Sequence, residues 1–576
     1  MTRPGGPSRR GRRRHVLALG TGLSLVLTLS GCSAESDAPQ PGAALSRPAP
    51  STTWTPPKGA IEPSSLPGYT PPTKTGVGSY ERRQVTGGTI HWSHLDGVGQ
   101  PIAQVPRVDG LVFGDQAAYS SVHGVLTLRG GPQRRSAAAG DAKVSQGRLS
   151  LAWTAPLGSL RSFGATWPGA GWTGQPLLVK WPEATRVAMG LSQDFADRGG
   201  VEVIYPAFDG QIHRLDLATG KPTKPAVDIG FGFKGTGSID PRGYPLLYAG
   251  QGLPDNSGRR GPWQLRVVDL IRNTQSAAVY GNDPAAYRRA WGAFDSSALV
   301  HVGTDTLLEP GENGVYYRVA LHSSFDAPAR TVRVAPEVTR LVYRSDRSSR
   351  FGMEASQVAY RNLIYTTDND GNLNCLDVRT LEIVWSRDIG DDSDATMAIE
   401  ETPEGVFLYS GNEVDHRTFH DQVANIRKIN ALTGELVWQY NVGTEYIEST
   451  NGGVLGSLLI GDAADVKDLV LVSSARTRPG LGGTLMALDR ATGAPRWTRA
   501  LDPYSWTSML YLTGASGKTY AVFADQAGVI HLFDPTTGAD VDTFATGANV
   551  EASPAAYGNV LVVASRDQKV YALTVS

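Results

Sequence analysis

One phrase recurs along this chain and limits its fold more than any other feature. Leu215-Asp216 is followed by Thr219-Gly220, Leu376-Asp377 by Thr380, Ile429-Asn430 by Thr433-Gly434, Leu488-Asp489 by Thr492-Gly493, and Phe533-Asp534 by Thr537-Gly538. In three copies a tryptophan stands eight residues after the acid or amide: Trp385 after Asp377, Trp438 after Asn430, Trp497 after Asp489. Apolar residues alternate before the phrase, as in a half-buried strand. Asp, Asn and Thr bond the backbone of a turn and Gly takes positive φ, so each phrase is a hairpin. The tryptophan falls on the returning strand, where its ring can cover the neighbouring unit. Units of about four short strands, spaced roughly 40–60 residues apart, are β-propeller blades. The 67 glycines, 12 tryptophans and 21 tyrosines agree with short strands and tight turns.

The run Leu488-Asp489-Arg490-Ala491-Thr492-Gly493-Ala494-Pro495-Arg496-Trp497 resembles the docking motif of the pyrroloquinoline-quinone-like (PQQ-like) propeller repeat family. The close copies cover about residues 350–576, and those between 171 and 340 are degenerate. Blades are expected to start near Trp172, Thr236, Trp291, Glu354, Ala398, Gly453, Trp506 and Glu551. The last run, from Glu551, has three strands, and Leu149-Ser150-Leu151-Ala152-Trp153 reads as its missing fourth. Pairing the two would close the ring and remove its open edges. The expectation is an all-β, eight-bladed propeller over 149–576, with seven blades as the alternative.

The N-terminus reads as an address. Arg9, Arg10, Arg12, Arg13 and Arg14 precede the apolar run Val16 to Leu29, and Leu29-Ser30-Gly31-Cys32 closes it. The ending resembles a bacterial lipobox, which implies cleavage before Cys32 and lipidation of that residue. Arg13-Arg14 also loosely resembles a twin-arginine signal, so the export route stays open. Residues 1–31 hold six arginines and no acids, and their removal takes the formal charge from -1 to -7. That excludes a basic field for nucleic acid. Residues 32–80, rich in Pro, Ser and Thr, are expected to be a disordered tether, and residues 81–148 an N-terminal extension or cap.

Propeller topology puts the lead-in to each innermost strand and the loop between its second and third strands on one face. Trp172, Asp295, Glu354, Trp506 and Glu551 occupy such lead-ins, so they should ring the mouth of the channel. Glu400, Glu448 and Trp291 are expected nearby, with the loops 251–263, 304–314, 411–425 and 475–483. An acidic, aromatic mouth suits a cation or a polar ligand stacked on indole. Asp368-Asn369-Asp370-Gly371-Asn372 reads as a hairpin turn rather than a calcium loop, and no metal ligand set is assigned. Cys375 lies inside a strand and reads as structural.

Enzymes of the resembled family use a vicinal Cys-Cys disulfide against the quinone, a carboxylate-bound Ca²⁺ and an Asp base. This chain has only Cys32 and Cys375, and no catalytic residue is assigned. The expected function is a membrane-anchored, extracytoplasmic, non-catalytic binding or scaffold protein, with no cofactor. Envelope proteins or a polar or cationic small ligand are its expected partners. The plan resembles that of the propeller lipoproteins of the outer-membrane barrel-assembly machinery. A small-molecule or carbohydrate sensor is the alternative, and a quinone-dependent dehydrogenase the third reading.

Overall fold

A computed structural model describes residues 54–73, 81–85, 88–172, 174–287, 290–347, 349–447 and 451–576. The signal segment and Cys32 lie outside the described residues. All described residues belong to one compact unit that begins at Pro41. Among them no helix is long and apolar enough to cross a membrane.

The described strands form eight blades. Each phrase reported above is the turn between the third and fourth strands of a blade. In blade 6, Gly483–Asp489 pairs with Pro495–Leu501, and Asp489 accepts hydrogen bonds from the Ala491 and Thr492 amides and the Thr492 hydroxyl. Asn430 does the same in blade 5 for Leu432 and Thr433. Asp377 receives the Arg379 amide and guanidinium in blade 4.

The tryptophans dock each blade on the next. Trp385 Nε1 donates to Ala431, Trp438 to Arg490 and Trp497 to Pro535, at 3.2, 3.1 and 3.0 Å. Each ring lies on the glycine of the neighbouring turn. A Cβ added to Gly493, at φ +74°, would come within 2.6 Å of Trp438. Only glycine meets both the conformation and the contact. The same lock joins blade 8 to blade 1: Trp153 Nε1 donates to Leu217 at 2.8 Å and its ring covers Gly220. Trp153 lies on Leu149–Pro156, which pairs antiparallel with Lys569–Val575. The last blade is therefore built from both ends of the propeller sequence.

Hydroxyls link the innermost strands around the axis. The Ser297 amide donates to Ser356 Oγ, Ser356 to Thr396, Ser457 to Ser508, and Ser508 to Ser553, at 2.8, 2.9, 3.0 and 3.0 Å. These bonds explain why a small hydroxyl residue follows each lead-in.

One N-terminal reading changes. Residues 54–73 are not a free tether but lie on the propeller. Ile61 and Asn362 exchange backbone-to-side-chain bonds of 2.6 and 2.9 Å, and Ile61 and Leu66 are buried among apolar residues of blades 4 and 5. Proline-rich composition conceals the few anchors, Ile61, Glu62 and Leu66, that secure it.

The extension then wraps and plugs the ring. Glu81–Val85 and Gly88–Leu95 extend blade 3 to six strands. Val108, Phe113 and Ser120 bond to Arg379, Arg361 and Pro241 on the turn side. His123–Val125 then joins the inner edge of blade 1, and Ala138–Ala139 that of blade 8. Between them, Arg129 and Arg134 lie fully buried on the axis. Arg129 donates to carbonyls of Arg134, Arg135 and Met509. Arg134 donates to those of Leu128, Ser297 and Gln357. Neither has a carboxylate partner among these bonds, and burial pushes both guanidinium pKa values down to about 10. The channel is filled by the chain itself.

Candidate functional site

The lead-ins to the innermost strands gather on the mouth face. Six lead-ins there share one pattern, a variable residue, a small residue and a serine or threonine: Lys234-Gly235-Thr236, Asp295-Ser296-Ser297, Glu354-Ala355-Ser356, Asp394-Ala395-Thr396, Trp506-Thr507-Ser508 and Glu551-Ala552-Ser553. The hydroxyl belongs to the axial network, so the variable residue two places earlier stands at the mouth. Turns between second and third strands add Glu312, Asn369 and Glu413.

All five expected mouth residues meet through short contacts. Trp172 and Trp506 pack with ring centroids 4.9 Å apart. The Trp172 amide donates to Glu551 at 3.3 Å. The Lys234 ammonium lies 4.3 Å from the centre of the Trp172 ring and 2.6 Å from Asp295 Oδ2. Asp295, Glu312 and Glu354 bring carboxylate oxygens within 4.8 Å of one another. Trp172 itself adopts φ +56°, a region rarely populated by a bulky residue and a form of strain that gathers at working sites.

The two sides of the mouth differ in character. Blades 2–5 carry Lys234, Asp295, Glu312, Glu354, Asp392, Asp394 and Glu413. Burial, reinforced by neighbouring carboxylates, raises Glu312, Asp392 and Asp394 well above the usual range. Asp295 rises to about 6, because burial outweighs the nearby Lys234. Glu413, 2% exposed, rises to about 8, chiefly through burial. Burial alone would lower the Lys234 pKa, but Asp295, Glu312 and Glu354 raise it. The other side carries Leu455, Tyr504, Trp506 and Trp172 as one apolar cluster.

Several expectations need correction. Glu551 is not part of the mutually repelling set, because Arg566 pairs with it at 2.6 Å. Glu400 faces the opposite side, bonded to Tyr409 and Arg490. Trp291 stacks on Phe163 and Trp263 instead. Within 304–314, Thr306–Pro310 is a strand, so the loop there shrinks to 311–314. Glu448 lies outside the described residues. His416 sits among Asp370, Asp391 and Asp415; these carboxylates overcome its burial and raise its pKa to about 9. It pins the 412–425 loop as a cation. Cys375 is buried in blade 4.

Asp295, Glu312 and Glu354 form a hard-oxygen set that suits a cation such as Ca²⁺. A flat quinone fits less well. Trp172 is already packed against Trp506 at an interplanar angle of 40° and covered by Lys234, and the buried Cys375 offers no vicinal disulfide.

Comparison with known proteins agrees at the level of the fold. Residues 481–576 match the family described as outer membrane protein assembly factor BamB. No curated protein matches the chain. Among solved structures, BamB from Moraxella catarrhalis is 16% identical with a TM-score of 0.42, over 65% of this chain and 93% of that one. The quinohemoprotein alcohol dehydrogenase ADHIIG from Pseudomonas putida HK5 is 12% identical with a TM-score of 0.51, over 78% of this chain and 80% of that one. By fold the chain is an eight-bladed propeller of the PQQ type, and its match to the BamB family extends over residues 481–576.

Proposed function

We propose that the protein is a non-catalytic binding protein of the cell envelope, held by lipid on Cys32, whose working surface is the mouth face. One observation carries this reading. The chain's own segments 54–73 and 108–120 lie on the turn face and Arg129 and Arg134 fill the axis, while the opposite face gathers charged and aromatic groups at the mouth. Buried carboxylates with raised pKa are costly to fold and concentrate at working sites. The lipid reading rests on the basic, apolar and Cys32 pattern at the N-terminus.

The test is capture of bound proteins and small molecules by the full-length lipidated protein from its own membranes. Asp394→Lys places a cation at the mouth, and Glu404→Lys alters an exposed turn on the opposite face. Capture should be lost in the first variant and kept in the second; the reverse result overturns the reading. Cys32→Ala should move the protein out of the membrane fraction. Sustained turnover of alcohols or sugars after addition of pyrroloquinoline quinone and Ca²⁺ would make it an enzyme.

A further inference from the structure

We infer that a groove between blades 4 and 5, at the rim of the mouth face, binds an organic monocarboxylate, one acid group on a short apolar body. The groove is separate from the lead-in residues and does not rest on their role.

Asn425, Arg427 and Ile429 alternate along the strand Val423–Asn430 and share the face turned to blade 4. Ile429 belongs to the core there, but Arg427 is an arginine only 8% exposed. Its Nε donates to Gln439 Oε1 at 2.8 Å and its Nη1 to Asn412 Oδ1 at 3.2 Å. Its Nη2 has no partner, and no carboxylate among the described residues pairs with it. Burial pushes its pKa down to about 10, which leaves it charged at neutral pH. Asn425 is also 8% exposed, and its side-chain amide has no partner among the described residues.

These donors converge on Gly390, which adopts φ +99°. A Cβ added there would stand 3.5 Å from Arg427 Nη2, 3.6 Å from Asn425 Nδ2 and 3.9 Å from Asn412 Nδ2. The three nearest atoms are all nitrogens, and glycine leaves the space between them open. A buried guanidinium edge and a buried amide without acceptors call for an oxygen that carries negative charge.

A cavity of about 380 Å³ runs from the same guanidinium along the outer strands of the two blades. Arg427 and Gln439 line it at one end, and Ile389, Ile429 and Leu436 supply apolar walls. Leu436 is 43% exposed, so this wall faces open space. The volume suits a small organic molecule. Nearby charges narrow the class. Asp388, also in the wall, is held by two bonds of 2.8 Å from Arg417 and one of 2.9 Å from the Gly390 amide. Glu435 stands exposed beside Gly434 at the other end. Both repel a second negative charge, so one carboxylate fits better than a dicarboxylate or a phosphate dianion.

The experiment is calorimetric titration of the full chain in an uncharged detergent with hexanoate, N-acetylleucine, acetate and hexylamine, each alone and each blanked against detergent. Hexanoate or N-acetylleucine should bind with one-to-one stoichiometry, at least about tenfold more tightly than acetate, and hexylamine should not bind. Preference for N-acetylleucine marks a peptide C-terminus as the source of the carboxylate; preference for hexanoate marks a free organic acid. Affinity should hold from about pH 6 to about pH 9 and fall once the ligand carboxyl is protonated. Arg427→Gln should weaken binding about tenfold or more. Leu436→Glu changes an exposed side chain, puts a negative charge on the wall and should weaken binding about as much while the protein stays folded. Absence of saturable binding of both acids, parity with acetate or hexylamine, or an unchanged affinity in either folded variant would overturn the inference.

Discussion

Glu413→Gln should make the protein more stable at neutral pH and lose that advantage as pH falls towards 4.5. The carboxyl is buried, and its pKa stands at about 8 against an ordinary 4.5. An acid whose folded pKa is raised binds its proton more tightly in the folded state. Stability therefore falls as pH climbs from 4.5 towards 8. At pH 7 the penalty is about 3 kcal/mol, from a shift worth about 1.4 kcal/mol per pKa unit, most of it expressed at that pH. Glutamine does not titrate. It keeps one acceptor oxygen, whereas Glu413 accepts from both the Asp394 amide and Asn451 at 3.0 Å. Losing one of these costs about 1 kcal/mol. The net gain is about 2 kcal/mol at pH 7, which for a chain of this size raises Tm by about 2 °C. Below pH 4.5 the carboxyl is neutral folded and unfolded, the gain vanishes, and the lost bond remains. Scanning calorimetry of both proteins at pH 7.5 and pH 4 gives the comparison. An equal shift at the two pH values, or a lower Tm at pH 7.5, would refute the claim that buried charge at the mouth opposes folding.

Glu551→Gln should behave oppositely and lower Tm at pH 7.5, because it removes the negative charge that pairs with Arg566. Trp438→Ala, which empties a fully buried docking position, should cost about 3–5 kcal/mol in denaturant titration. Gly493→Ala should destabilise through the same contact. Deleting residues 570–576 removes the partner of Leu149–Pro156 and should lower Tm by more than trimming a frayed end would; an unchanged Tm would count against a composite last blade.

The repeat was legible because one turn chemistry recurs: an acid that caps its own turn, a glycine under an indole, and a tryptophan at fixed distance. Trp153 was harder to place, since its turn partner, Gly220, lies in another blade and the acid-turn phrase is missing before it. At the mouth, Asp295, Glu354, Trp506 and Glu551 were found by position, while Lys234 and Asp394 carry the same three-residue pattern and were passed over. Aligning on the hydroxyl rather than on the variable residue would have found both. Glu312 and Asn369 come from short turns without a shared phrase, and Glu413 from the long connection between Gly405–Gly411 and Val423–Asn430. The pairing of Glu551 with Arg566 depends on two separate segments of blade 8 meeting. Arg129 and Arg134 were not readable at all, because unpaired arginines suggest a surface until the axial carbonyls that receive them are known.

The described N-terminal segments also set the two faces of the molecule apart. Trp54 bonds to Pro403, in a turn on the side opposite the mouth, and residues 108–120 cross that side before the chain enters the axis. One face is therefore sheathed by the protein's own chain, and the mouth is the face left for contact with another molecule.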